Sequence, residues 1–79
     1  MAVVPTPEDA GRAILKCAVN EYNVRPGEIA PIMGIQMKLQ SAYRADDLNA
    51  GLEFLLEKEW IELSPPKFLK LTAAGFAEA

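Results

Sequence analysis

Five carboxylates crowd one stretch of this chain: Asp46, Asp47, Glu53, Glu57 and Glu59, with Lys58 the single base between residues 45 and 60. That stretch has a net charge of −4, while the other residues, with six acids and seven bases, carry +1. The overall charge of −3 and the pI near 4.8 therefore arise in one place. No pair of these acids is accompanied by a histidine, a cysteine-nucleophile motif or a phosphate-binding loop, so acid–base and nucleophilic catalysis lack their other members. The sequence holds no histidine and one cysteine, Cys17. A zinc site of the usual Cys/His type, a histidine triad and an intramolecular disulfide are excluded. A chain of 79 residues is also too small to enclose much of a substrate pocket. The expectation is a protein that is not an enzyme and uses no cofactor and no metal.

The elements that must carry these residues follow from capping and periodicity. The length fits one domain over residues 1–79, with residues 1–5 a flexible N-terminus. Such a chain buries only about 60% of its unfolded surface. Its 51% hydrophobic content argues for a packed core and against disorder, and suggests apolar surface left for a partner. Met1-Ala2-Val3-Val4-Pro5 lacks a basic n-region and a long apolar stretch, so it does not read as a signal peptide. No apolar run approaches the roughly 18 residues of a membrane span; the expected compartment is the cytoplasm.

Helix 1 begins with Thr6 as N-cap, Pro7 in the first turn, and Glu8 and Asp9 at its positive end. Asp9 occupies the capping-box position. Ala10, Ile14, Leu15, Cys17, Ala18, Val19 and Tyr22 form its apolar face, with Cys17 a small buried hydrophobe, while Arg12, Lys16, Asn20 and Glu21 face water. Asn23 suits a left-handed C-cap. After a turn at Val24-Arg25-Pro26-Gly27, Glu28 opens helix 2, whose inner face is Ile29, Ile32 and Met33, and which Gly34 can end. Met33 and Met37 read as core or gap fillers. Residues 35–43 alternate like a strand yet also fit a continued helix; the favoured reading is a helical extension, then a loop through Ser41-Ala42-Tyr43-Arg44. Helix 3 starts at Asp46 or Asp47, either of which can cap it, and turns Leu48, Leu52, Leu55 and Leu56 inward. Two short strands, around Ile61-Glu62-Leu63 and Phe68-Leu69-Lys70-Leu71, flank a Pro65-Pro66 turn that cannot pair as strand. Thr72 caps a last short helix to Ala79.

Two segments carry a resemblance. Leu52-Glu53-Phe54-Leu55-Leu56-Glu57-Lys58-Glu59-Trp60-Ile61 is similar to the Leu-x-x-Leu-x-x-x-Gly-aromatic-Ile pattern that ends the third helix of many winged helix-turn-helix proteins. Leu71-Thr72-Ala73-Ala74-Gly75 is similar to the Leu-Thr-x-x-Gly that closes their second wing strand, and Gly27-Glu28-Ile29-Ala30 to their entry into helix 2. Over residues 6–79 the chain resembles this family. The resemblance implies an α+β fold of three helices, a two-stranded β-wing and a short C-terminal helix. Glu59 stands where the family has Gly, so a left-handed C-cap there would cost about 1 kcal/mol unless the helix ends differently. The link between helices 2 and 3 is longer than a tight helix-turn-helix needs, and the wing turn is short.

The resemblance further implies double-stranded DNA as partner in transcriptional control, with the N-terminal half of helix 3 in the major groove and a homodimer supplying two reading surfaces. Base-facing residues would be Ala45, Asp46, Asn49, Ala50 and Glu53, with Asn49 suited to adenine and Asp46 or Glu53 to cytosine N4. Phosphate contacts would be Arg25, Lys38, Arg44, Lys67 and Lys70. Against these roles, Asp46 and Asp47 also read as helix caps, and the five bases as solvated surface charge. The acidity of helix 3 points to an alternative: a protein-interaction module that has lost DNA binding and docks through helix 3, with Tyr43, Phe54 and Trp60 facing the partner. Trp60 otherwise reads as a packing residue at the helix-to-wing corner.

Overall fold

The computed structural model describes residues 6–64 and 67–79. The elements run α1 (Pro7–Glu21), β1 (Ile29–Pro31), α2 (Ile32–Leu39), α3 (Ala45–Glu57), β2 (Ile61–Ser64), β3 (Phe68–Leu71) and α4 (Ala73–Glu78). Among the described residues this is a small α+β fold of four helices and a three-stranded antiparallel sheet in the order β1-β3-β2. The expectations for Met1–Pro5 and for the Pro65-Pro66 turn lie outside the described residues.

α1 starts as its sequence dictates. Thr6 Oγ1 accepts from the Asp9 N–H at 3.1 Å, and Asp9 Oδ2 accepts from the Thr6 N–H at 3.3 Å, completing a capping box. At the far end Asn23 takes the left-handed conformation, with φ 53°. Ala10, Ile14, Leu15, Cys17 and Ala18 are buried. Arg12 corrects the expected solvent face: it is half-buried, paired with Glu8 at 3.0 Å and Glu78 at 3.4 Å, and its guanidinium lies 5.2 Å from the centre of the Trp60 ring. It thereby ties α4 to α1.

The region after the first turn departs most from expectation. Glu28 does not open a helix. Gly27 N–H donates to the Leu71 carbonyl at 2.8 Å and Leu71 N–H donates to the Glu28 carbonyl at 3.0 Å, which leads directly into the ladder pairing Ala30 with Leu69. The anticipated two-stranded wing is thus a three-stranded sheet. Pro31 explains the boundary: fixed φ and a missing N–H suit the end of an edge strand and the N-cap of α2, and Pro31 is both. The expected inner face shifts accordingly. Ile29 is 49% exposed and Met33 54% exposed, while Ile35 is buried. Gly34 does not end the helix, which continues to Leu39 as the favoured reading of residues 35–43 had it, followed by a loop to Arg44.

α3 begins at Ala45, ahead of the expected start at Asp46 or Asp47. Arg44, rather than Asp46 or Asp47, is the N-cap. Asp47 acts from the third helical position, where its Oδ2 accepts from the Arg44 N–H at 3.3 Å. Leu48, Gly51 and Leu55 are buried, with Leu52 and Leu56 half-buried beside them. α3 lies directly on α1 through two glycines: a Cβ on Gly51 would sit 2.7 Å from the Gly11 nitrogen and 2.9 Å from the Ala10 carbonyl carbon. Only bare backbone permits that approach.

The C-terminus of α3 is closed by a Schellman arrangement. Trp60 N–H donates to the Leu55 carbonyl at 3.0 Å and Glu59 N–H to the Leu56 carbonyl at 3.1 Å. Glu59 adopts φ 60°, so the chain takes the left-handed cap in spite of its side chain. The two segments that carry the family resemblance meet here. Thr72 N–H donates to the Trp60 carbonyl at 3.2 Å, Thr72 Oγ1 donates to the Glu59 carbonyl at 2.8 Å, and the same hydroxyl caps α4 by accepting from Gly75 N–H at 3.0 Å. A Cβ on Gly75 would overlap the Trp60 carbonyl. The Leu-Thr-x-x-Gly and Trp-Ile segments are two halves of one joint. From it, Ile61, Leu69 and Leu71 enter a core shared with Ile14, Leu15, Ile35, Leu48 and Leu55.

Candidate functional site on the outer face of α3

Helical spacing places Asp46, Asn49, Ala50, Glu53 and Glu57 along one outward strip of α3, opposite its buried Leu48, Gly51 and Leu55. Asp46, Asn49, Glu53 and Glu57 are exposed and Ala50 is half-buried. Glu53 and Glu57, one turn apart, form no ion pair with a described residue; the ion pairs among the described residues belong to Arg12. Asn49 Oδ1 accepts from Gln36 Nε2 at 3.5 Å, which links the strip to α2.

A groove borders each side. Towards the start of α1, Pro7, Ala50, Phe54 and Leu56 line a hollow of about 670 Å³ together with Glu53 and Glu57. Towards α2, Met33, Met37, Tyr43 and Leu48 line a smaller groove of about 330 Å³ with Gln36, Gln40 and Arg44. The methionines are not core fillers: Met37 is 62% exposed. Their exposure has a local cause, since Ile32, Ile35 and Leu39 already supply the side of α2 that packs on the core.

The five expected phosphate contacts are divided among several segments of the chain. Arg25 leans on α4, its guanidinium 5.6 Å from the centre of the Phe76 ring. Lys38 leans on the residue that closes α1, its ammonium 5.9 Å from the centre of the Tyr22 ring. Lys67 and Lys70 are exposed on the hairpin, with Lys70 opposite Glu62 on β2 and Ile29 on β1. Arg44 alone belongs to the segment that enters α3. Of the three aromatic candidates, Tyr43 stands apart from Phe54 and Trp60. Tyr43 lines the α2-side groove and Phe54 the α1-side groove. Trp60 is half-buried at the corner, meeting Phe54 edge-on with ring centres 5.6 Å apart. Pro7, Met33, Met37 and Glu57 were not among the expected site residues. The recurrence of Ala50, Glu53, Phe54 and Glu57 at helical spacing was the available signal for the last of these.

Among the described residues no polar or charged side chain is buried, and no group of histidine, cysteine or acidic residues is arranged to hold a metal. Cys17 is buried; desolvation pushes its thiol up from the ordinary range, Glu21 adds to that and Lys38 opposes it. A thiol held protonated in this way is a poor nucleophile. No described helix is long and apolar enough to cross a membrane. The surface chemistry on offer is therefore apolar contact flanked by free carboxylates.

No protein-family model, curated protein or solved structure matches this chain.

Proposed function

We propose that this chain is a protein-interaction module on a winged-helix scaffold, docking through the outer face of α3. The order of helices, hairpin and C-terminal helix supports the scaffold, as does the joint between Trp60 and Leu71-Thr72-Ala73-Ala74-Gly75. The observation that carries the functional reading is the strip itself: Asp46, Glu53 and Glu57 stand exposed on the face that would have to enter a DNA groove. Affinity for DNA rests mainly on neutralised phosphates, and carboxylates in that position repel them. Carboxylates beside apolar grooves suit a protein surface of complementary charge.

A photocrosslinking residue placed at Asn49 or Glu57 tests this in extracts of the source cells. A discrete protein adduct is expected from those positions and none from Lys16, which is exposed on α1. Crosslinking to nucleic acid at Asn49, with no protein adduct at either site, would support DNA binding instead and overturn the reading.

A further inference from the structure

The α1-side groove has a specific combination of features. Its lining combines apolar Pro7, Ala50, Phe54 and Leu56 with the exposed acids Glu53 and Glu57. Residues four apart on a helix lie about 6 Å apart along its axis. Like charges at that spacing are mildly destabilising, by a few tenths of a kcal/mol, unless an opposite charge meets them. Lys58 does not take that role: its ammonium sits 5.7 Å from the centre of the Phe54 ring and forms no ion pair with either acid. The groove thus presents an apolar surface and two negative charges, one helical turn apart, that form no described ion pair.

Building on the interaction reading above, we infer that the partner element is a basic amphipathic helix that seats an apolar side chain against Phe54 and Pro7 and sets Lys or Arg residues, one turn apart, against Glu53 and Glu57. The repeat of the acids matches the repeat of bases on one face of such a helix, so both ion pairs form in a single register. The apolar lining supplies the water exclusion that makes charged contacts beside it more than solvated neighbours. The α2-side groove lacks this pairing, since its charged member is Arg44.

The test is an amide NMR titration of the full chain with two synthetic peptides of about 18 residues, long enough to hold helix. Both carry the same leucine face, one with lysines and the other with glutamates flanking it. The lysine peptide should shift amides of residues 50–57 and of Glu8, and the glutamate peptide should not. Glu53→Gln with Glu57→Gln should weaken the lysine peptide about fivefold, in keeping with two partly exposed ion pairs. Glu21→Gln with Glu62→Gln removes the same charge from exposed positions outside the groove and should change affinity less than about twofold. Equal losses from the two variant pairs, equal binding of both peptides, or no shifts from the lysine peptide would each overturn the proposal. Shifts confined to residues 33–48 would overturn it while leaving the interaction reading intact. Absence of peptide shifts together with duplex-induced shifts would overturn both.

Discussion

The two sides of α3 are made of the same thirteen residues and obey different rules. Its inner side is fully accounted for by packing. Leu48 and Leu55 fill the core, Gly51 meets Gly11 backbone to backbone, and the last turn is closed by the Leu55 and Leu56 carbonyls. Its outer side has no such explanation. Asp47 caps the helix, but Asp46, Glu53 and Glu57 have no partner among the described ion pairs and side-chain hydrogen bonds. The contrast separates what builds the fold from what is left for another molecule. A residue whose neighbours explain it is a poor candidate for function, and on the outer strip of this helix Asp46, Glu53 and Glu57 are the charged residues that no described partner explains.

That division can be broken or sharpened by substitution. The largest effect is expected at Leu55→Ala, which removes a fully buried side chain from the centre of the core. A loss of about 2–5 kcal/mol is expected, a large share of what a domain of this size holds. Urea unfolding followed by circular dichroism reads it. Gly51→Ala comes next, because its new Cβ meets backbone rather than a movable side chain. About 1–3 kcal/mol should be lost, and the same unfolding curve measures it. Glu59→Gly should act in the opposite direction: relieving the left-handed strain at φ 60° raises stability by about 1 kcal/mol. The smallest effect belongs to the outer face. Glu53→Gln with Glu57→Gln should leave the unfolding midpoint unchanged within about 0.5 kcal/mol or raise it slightly. A loss of several kcal/mol there would show that the outer strip is structural after all.

What could be read from the chain follows the same division. α1, α3, β2, β3 and α4 were legible because each is announced locally: Thr6 and Thr72 as caps, leucines at helical spacing, and alternation at Ile61–Leu63 and Leu69–Leu71. β1 was not, because Ile29-Ala30-Pro31 is too short to show a period and its partner strand lies far along the chain. Reading Ile29 as helical turns Met33 inward, whereas a helix that starts at Ile32 turns Ile35 inward instead. The acidic strip was visible from residue types and spacing alone. The grooves beside it were not, since each is lined by residues of separate elements: Pro7 of α1 meets Ala50, Phe54 and Leu56 of α3 on one side, and Met33 and Met37 of α2 meet Leu48 of α3 on the other. Nor does residue type show that Arg25 lies beside the Phe76 ring and Lys38 beside the Tyr22 ring.

The most direct test of the central claim is an amide NMR titration of the labelled protein with a mixed-sequence duplex of about 20 base pairs at low salt. DNA readers show non-specific contact at roughly 10⁻⁴–10⁻⁶ M. An outer face of α3 built for a basic protein partner predicts unmoved amides throughout that range. Shifts gathered in residues 36–53 and 67–70 that fade as salt rises would contradict the account and return the acidic helix to the major groove.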